Sequence, residues 1–238
     1  MRRFSIIHLI LSAGLLLVGC DEGRLYGDDV VIANEGGSAR VTTVISGMDT
    51  WTDSYTLAVA GFEDGNEFAL ISKNIEASVT DGKCDVLLTG IPPEVATVEI
   101  CAIDRLRRRV ATFASSDFIA GKDTLNISIP SVNLSMPRAI QQEIFNTTCI
   151  QCHGGSNYIA AGLNLTEGES FSNMISVPSA KIPDMNRVQA GNSSLSVLYL
   201  ILSGSSSSTW SYDHSVEVIR QEKLDLIRNW IDGGAIIE

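Results

Sequence analysis

Histidine is scarce in this chain, with three in 238 residues, and none of them falls between residues 25 and 134. That long stretch therefore has no histidine for acid–base catalysis or for metal binding. Aromatics make up only 6% of the chain, and Trp51 and Tyr55 are the only obvious candidates for a surface row that could grip polysaccharide, with core packing the better explanation of both. Bases are also few, with 17 Lys and Arg against 28 Asp and Glu. Such a balance argues against nucleic acid and against an electrostatic hold on anionic lipid. Beyond the first twenty residues, no apolar run approaches the length of a membrane-spanning helix. No pair of carboxylates is spaced as an acid–base couple, so nothing in the sequence marks the chain as an enzyme.

What is present is concentrated in one short motif. Cys149-Ile150-Gln151-Cys152-His153 reads C-x-x-C-H, the attachment pattern of a c-type haem. Two thiols three positions apart sit about one helical turn from each other, within reach of the two vinyl groups of one porphyrin. The adjacent imidazole of His153 can then serve as the proximal iron ligand. A lone C-x-x-C-H also suits half a zinc site or a redox pair, but the remaining His and Cys do not complete a tetrahedral set.

Covalent haem is attached outside the cytoplasm, and the N-terminus reads as an export signal. Arg2 and Arg3 give a positive start, Ile6 to Val18 an apolar core, and Leu17-Val18-Gly19-Cys20 an ending that looks like a bacterial lipobox. Residues 1–19 are therefore expected to be a lipoprotein signal peptide. Cys20 is expected to carry lipid, and residues 20–34 to form a tether. An ordinary secretory peptide or a short anchor helix is the alternative. Removing Arg2 and Arg3 takes the basic count from 17 to 15 and the net charge from −11 to −13. The localisation implied is the bacterial cell envelope, facing the periplasm or the cell surface.

The rest of the chain changes character near residue 134. Short alternating runs at Ala39–Ile45, Tyr55–Ala60, Phe68–Ile71, Cys84–Leu88, Thr97–Ala102, Arg109–Phe113 and Thr124–Ile129 predict strands over 35–134. About seven strands of this kind suggest an antiparallel β-sandwich, immunoglobulin- or fibronectin-like. Cys84 and Cys101 flank the turn at Gly90–Glu94, and a hairpin centred there would set them face to face. A cross-strand disulfide is open to them, the alternative being two buried thiols. Arg105-Leu106-Arg107-Arg108-Arg109 reads as a solvated hairpin tip.

Over 135–238 the period becomes helical. Ser135 predicts an N-cap with Pro137 in the first turn, and Ile140, Ile144 and Phe145 mark one apolar face. Ile219, Leu224, Ile227, Trp230 and Ile231 mark a second helix, closed by Gly233-Gly234. The two resemble the crossing helix pair of small class I cytochromes c, with Phe145 against Trp230 as the expected contact.

The last hundred residues also resemble a c-type cytochrome domain found in exported proteins of planctomycetes and Bacteroidetes. The matching segments are Cys149–Gly154, Gly162-Leu163-Asn164-Leu165, Ala190–Leu198 and Trp230–Ala235, in that order. The resemblance implies one covalent haem c in a mainly α-helical domain, and so a two-domain chain, β then α. That family carries a Met-Pro step before its last helix. This chain has Trp210-Ser211-Tyr212-Asp213-His214-Ser215 there instead. His214 is thus expected as the distal iron ligand, with Met185 as the alternative and an open sixth position as a third.

The function implied is one-electron transfer by a membrane-anchored monohaem cytochrome, with envelope redox proteins as partners. Two alternatives remain. One is a haem-based ligand-binding sensor or peroxidase, which needs a labile sixth position. The other is a surface lipoprotein that binds polysaccharide or a protein partner, with the haem auxiliary.

Overall fold

Alternation writes the sheets. In the strand Lys83–Ile91, Cys84, Val86 and Leu88 are buried while Asp85, Leu87 and Thr89 face outward. Its partner Gly37–Ser46 buries Ala39, Val41, Thr43 and Ile45 in the same rhythm. The structure, a computed structural model, describes residues 36–76, 81–121, 123–155, 159–206 and 210–237. The expected signal peptide 1–19, the expected lipid site Cys20 and the expected tether 20–34 lie outside the described residues, as do residues 207–209.

Eight strands follow in chain order: β1 (Gly37–Ser46), β2 (Tyr55–Phe62), β3 (Ile71–Asn74), β4 (Lys83–Ile91), β5 (Thr97–Asp104), β6 (Arg109–Asp117), β7 (Leu125–Ser128) and β8 (Val132–Asn133). One sheet runs β4-β1-β7, with β8 also on β1, and the other runs β3-β2-β5-β6. Central strands β2 and β5 are buried on both faces. Leu57, Val59, Val98, Ile100 and Ala102 meet the main core, while Ala58, Ala60, Phe62, Cys101 and Ile103 form a smaller cluster with Ala69.

From Ser135 the chain turns helical. The Ser135 hydroxyl accepts from the Arg138 amide and caps α1 (Met136–Ile140). This helix continues without a break into a π-helical stretch, Gln141–Cys149, and a last α-turn, α2 (Ile150–His153). The wider winding brings Gln141 and Asn146, five apart, into a side-chain hydrogen bond of 2.7 Å. Thr147 Oγ donates to both the Glu143 and Ile144 carbonyls, at 3.1 Å each. After α3 (Val197–Leu202) the chain ends with α4 (Gln221–Asp232). Twelve residues are marginal as an isolated helix. Burial of Leu226, Ile227, Trp230 and Ile231, about 2 kcal/mol each, holds α4 in place. These side chains share one core with Leu134, Met136, Ile140, Phe145 and the facing sides of both sheets.

The expected fold class, an antiparallel sandwich followed by a mainly α-helical cytochrome c domain, is corrected on two points. First, one sheet is mixed, because β7 and β8 run parallel to β1. They occupy one edge of β1 in sequence, separated at Pro130, which has no N–H to give to the ladder. Second, residues 135–238 are not mainly helical. Between α2 and α3 the described chain is turns, short 3-10 segments and isolated bridges. Gly154, Gly155, Gly162, Gly168, Pro178, Pro183 and Gly191 punctuate that stretch and leave no room for a long 3.6-residue period. Ile219, expected on the last helix, precedes it and is 81% exposed, and Leu226 takes the core position.

Phe145 and Trp230, expected to touch, are buried in the same core, and Phe171 lies against both rings, its centroid 6.0 Å from Phe145 and 5.3 Å from Trp230.

Cys84 and Cys101 are not across a hairpin, because the turn after β4 carries the chain from one sheet to the other. Cys84 faces the core between the sheets, and Cys101 faces the small cluster on the far side of β5. Both are free, buried thiols, with no disulfide between them. Burial raises the pKa of each thiol above its ordinary value.

Candidate functional site

Three segments meet around the C-x-x-C-H motif. The first is the helix end, where Cys149 closes the π-helical stretch and Cys152 and His153 lie on α2. Cys149 is half-buried and Cys152 exposed, and both are free thiols. Burial, with smaller contributions from Glu217 and Cys152, pushes the Cys149 thiol up to about 12, so it is protonated at neutral pH.

The second segment folds back on His153. Ala160 O lies 3.1 Å from His153 Nδ1, and Leu165 N donates to His153 O at 2.7 Å. With Nδ1 engaged by a carbonyl, Nε2 is the free nitrogen. Burial holds the His153 pKa below its ordinary value, against the opposing effect of the Ala160 and Leu163 backbone, so the imidazole is neutral and able to ligate. Ala161 and Gly162 both have positive φ, 53° and 61°. A left-handed Ala is strained, since its Cβ crowds the next carbonyl.

The third segment is the turn 210–217. His214 opens a short 3-10 turn capped by Asp213, whose carboxylate accepts from the Ser215 amide at 3.0 Å. Its ring lies edge-on to Tyr212 (5.2 Å, 87°) and to Trp210 (6.1 Å, 82°). Tyr212 OH donates to Glu217.

The structure brings His153 and His214 together, with ring centroids 6.4 Å apart and planes inclined by 31°. Two metal–imidazole bonds of about 2 Å each, plus about 1 Å from each ring centre to its nitrogen, span about 6 Å when both bind one metal. His214 Nδ1 is buried without a hydrogen-bond partner. Two unpaired thiols three apart, one oriented imidazole and a second at this spacing fit an iron porphyrin, whose ring supplies the other four nitrogens. Among the described residues no group of three or more His, Cys, Asp and Glu gathers to hold a metal by itself.

Met185, the alternative ligand, closes a turn in which its amide donates to Ile182 O at 2.9 Å and its carbonyl accepts from Ser179 N at 2.8 Å. Two residues on, Arg187 donates to the carbonyls of Ala161 and Gly162. Met174 is fully buried in the core.

Arg105, Leu106 and Arg107 are exposed, as in a hairpin tip, and Trp51 and Tyr55 pack against the core. Arg108 and Arg109 are tied inward, Arg108 to Asp104 and Glu222, and Arg109 to Glu99 at 3.0 Å and over the Phe62 ring at 3.9 Å. Trp51 packs edge-on against Tyr55 and Phe113, and its indole N–H donates to Leu134 O. Sequence reasoning missed Arg187, although it is the only arginine between His153 and His214. The Ala160 carbonyl carries no side-chain signal at all.

No protein-family model matches the chain, and no curated protein matches it. Among the described residues, no helix is long and apolar enough to cross a membrane.

Proposed function

We propose that the chain is a lipid-anchored monohaem protein of the bacterial envelope that carries single electrons between redox partner proteins. The observation that carries this reading is the 6.4 Å spacing of His153 and His214 beside the free thiols Cys149 and Cys152. The resemblance of four short segments, in order, to exported c-type cytochrome domains supports it. A bound haem c would supply one Fe(III)/Fe(II) step. Cys149 and Cys152 hold it by thioether bonds. His153 is the proximal ligand, oriented by Ala160 O, and His214 is the distal one. Trp210 and Tyr212 pack edge-on against the His214 ring. Cys20, as the lipid site, tethers the mature chain to the membrane. The acidic mature chain suits basic or neutral partners.

The test is periplasmic expression with the haem-attachment machinery, followed by intact mass of the exported protein. One covalent haem is expected, lost when Cys149 and Cys152 are both replaced by Ala. A folded, exported chain without haem overturns the proposal.

One observation favours a second reading. His214 Nδ1 has no partner, whereas His153 Nδ1 has a carbonyl, so the distal ligand lacks the second support that usually stiffens a metal-bound imidazole. A ligand-exchanging haem sensor or peroxidase would use such a labile position. Carbon monoxide separates the two, since rapid uptake by the unaltered ferrous protein belongs to the sensor.

A further inference from the structure

Arg187 is used by nothing described so far, yet its guanidinium is committed to backbone carbonyls. Nη1 donates to Asn173 O at 2.8 Å, and Nη2 donates to Ala161 O at 3.2 Å and Gly162 O at 3.3 Å. Its own backbone is fixed on both sides, because Arg187 N donates to Val177 O at 2.7 Å and Leu198 N donates to Arg187 O at 2.9 Å. The side chain is therefore cast from a rigid base.

The carbonyls it holds belong to the turn that orients the proximal imidazole. Ala160 O, next in the chain, takes the Leu163 amide at 3.1 Å and faces His153 Nδ1 at the same distance. Ala161 at φ 53° puts a non-glycine residue in the left-handed region, a cost that contacts around the turn must offset. A planar guanidinium with several fixed donors can clamp separate carbonyls at once; a compact ammonium cannot reproduce that fork. The cation is therefore held one and two residues along the turn from the carbonyl that faces His153.

We propose that Arg187 is the positioning residue of the haem site: through the Ala161 and Gly162 carbonyls it fixes the Ala160 carbonyl that sets the orientation of His153, and its charge favours the ferrous over the ferric iron. This rests on the haem reading above. Arg187 touches no ligand of the iron directly. Its influence passes through the turn and through the field of its charge.

The experiment uses the full-length protein matured in the periplasm, with Arg187→Gln and Arg187→Lys variants. Covalent haem is checked by intact mass, the reduction potential by redox titration, and ring orientation by ferric EPR, which responds to the angle between the two imidazole planes. The Gln variant is expected to keep covalent haem, to shift the EPR spectrum and to lower the potential. The Lys variant keeps the charge and loses the fork, so its EPR shifts while its potential stays near the unaltered value. If the Gln variant does not accumulate, the Lys variant decides through its EPR. A wild-type EPR spectrum in the Lys variant, or a wild-type potential and EPR in the Gln variant, overturns the proposal. Absence of haem from the unaltered protein instead overturns the reading it rests on.

Discussion

His153 and His214, sixty-one residues apart in sequence, stand with their ring centroids 6.4 Å apart and their planes 31° from parallel. The two reach this spacing by unrelated routes. His153 ends a helix continuous from Ser135, and His214 opens a 3-10 turn capped by Asp213. Neither ring is placed by the other, so the pair is set by the framework. The framework can be perturbed at defined points.

Phe171 is one such point, since it joins the helix that carries the cysteines to the last helix. Phe171→Ala removes both ring contacts of a half-buried side chain. The expected loss is about 2–3 kcal/mol in urea unfolding, below the 3–5 kcal/mol of a fully buried Phe. A loss under 0.5 kcal/mol would mean that Phe145 and Trp230 pack without it.

Lys223 and Glu143 form a second joint. Lys223 Nζ donates to Glu143 at 2.8 Å and to Val110 O at 2.6 Å, and Glu143 also accepts from the Thr112 amide at 3.2 Å. This ties α4, the π-helical stretch and β6 together. Glu143→Ala leaves a half-buried ammonium without its partner and is expected to cost about 2 kcal/mol. A double-mutant cycle with Lys223→Met is expected to return a coupling above 0.5 kcal/mol.

Cys84 and Cys101 lie on opposite sides of the strand β5 layer and are expected to stay reduced even in an exported protein. Alkylation of the denatured, haem-loaded protein without a reductant is expected to label both. Labelling of neither would require a sheet arrangement different from this one.

Tyr55 gives a pH signature. Burial pushes its phenol up to about 12, against the smaller opposing effect of the Asn229 amide, which donates to its oxygen at 2.9 Å. A raised phenol pKa leaves stability intact below the ordinary value near 10 and removes it as pH rises through the folded value. Unfolding free energy is therefore expected to decline between about pH 10 and 12, and Tyr55→Phe to flatten that decline. An unchanged slope in the variant would assign the alkaline loss elsewhere.

Much of this was legible in the sequence, for identifiable reasons. The strands announce themselves because Cys84, Val86 and Leu88 alternate with outward residues, and Ser135 with Pro137 marks a helix start by side-chain chemistry alone. The C-x-x-C-H spacing and the position of His214 named both rings. Strand direction was not legible, because nothing in Thr124–Ile129 says whether it meets β1 parallel or antiparallel. The placement of Cys84 and Cys101 depended on one turn, which crosses between sheets where a hairpin was expected. Helical content after Gly154 was overestimated from resemblance, where local Gly and Pro already argued for turns. The Ala160 carbonyl is a backbone feature and the Arg187 clamp is aimed at backbone carbonyls, so a side-chain pattern does not reveal them.

The most direct test is the optical spectrum of the haem-loaded protein in both redox states, with and without carbon monoxide, beside His214→Ala. The account predicts a low-spin ferrous spectrum that carbon monoxide leaves unchanged, no ferric Met–iron charge-transfer band, and a high-spin, carbon monoxide-binding His214→Ala variant. A Met–iron band, or a His214→Ala variant with the spectrum of the unaltered protein, would contradict the pairing of His153 with His214.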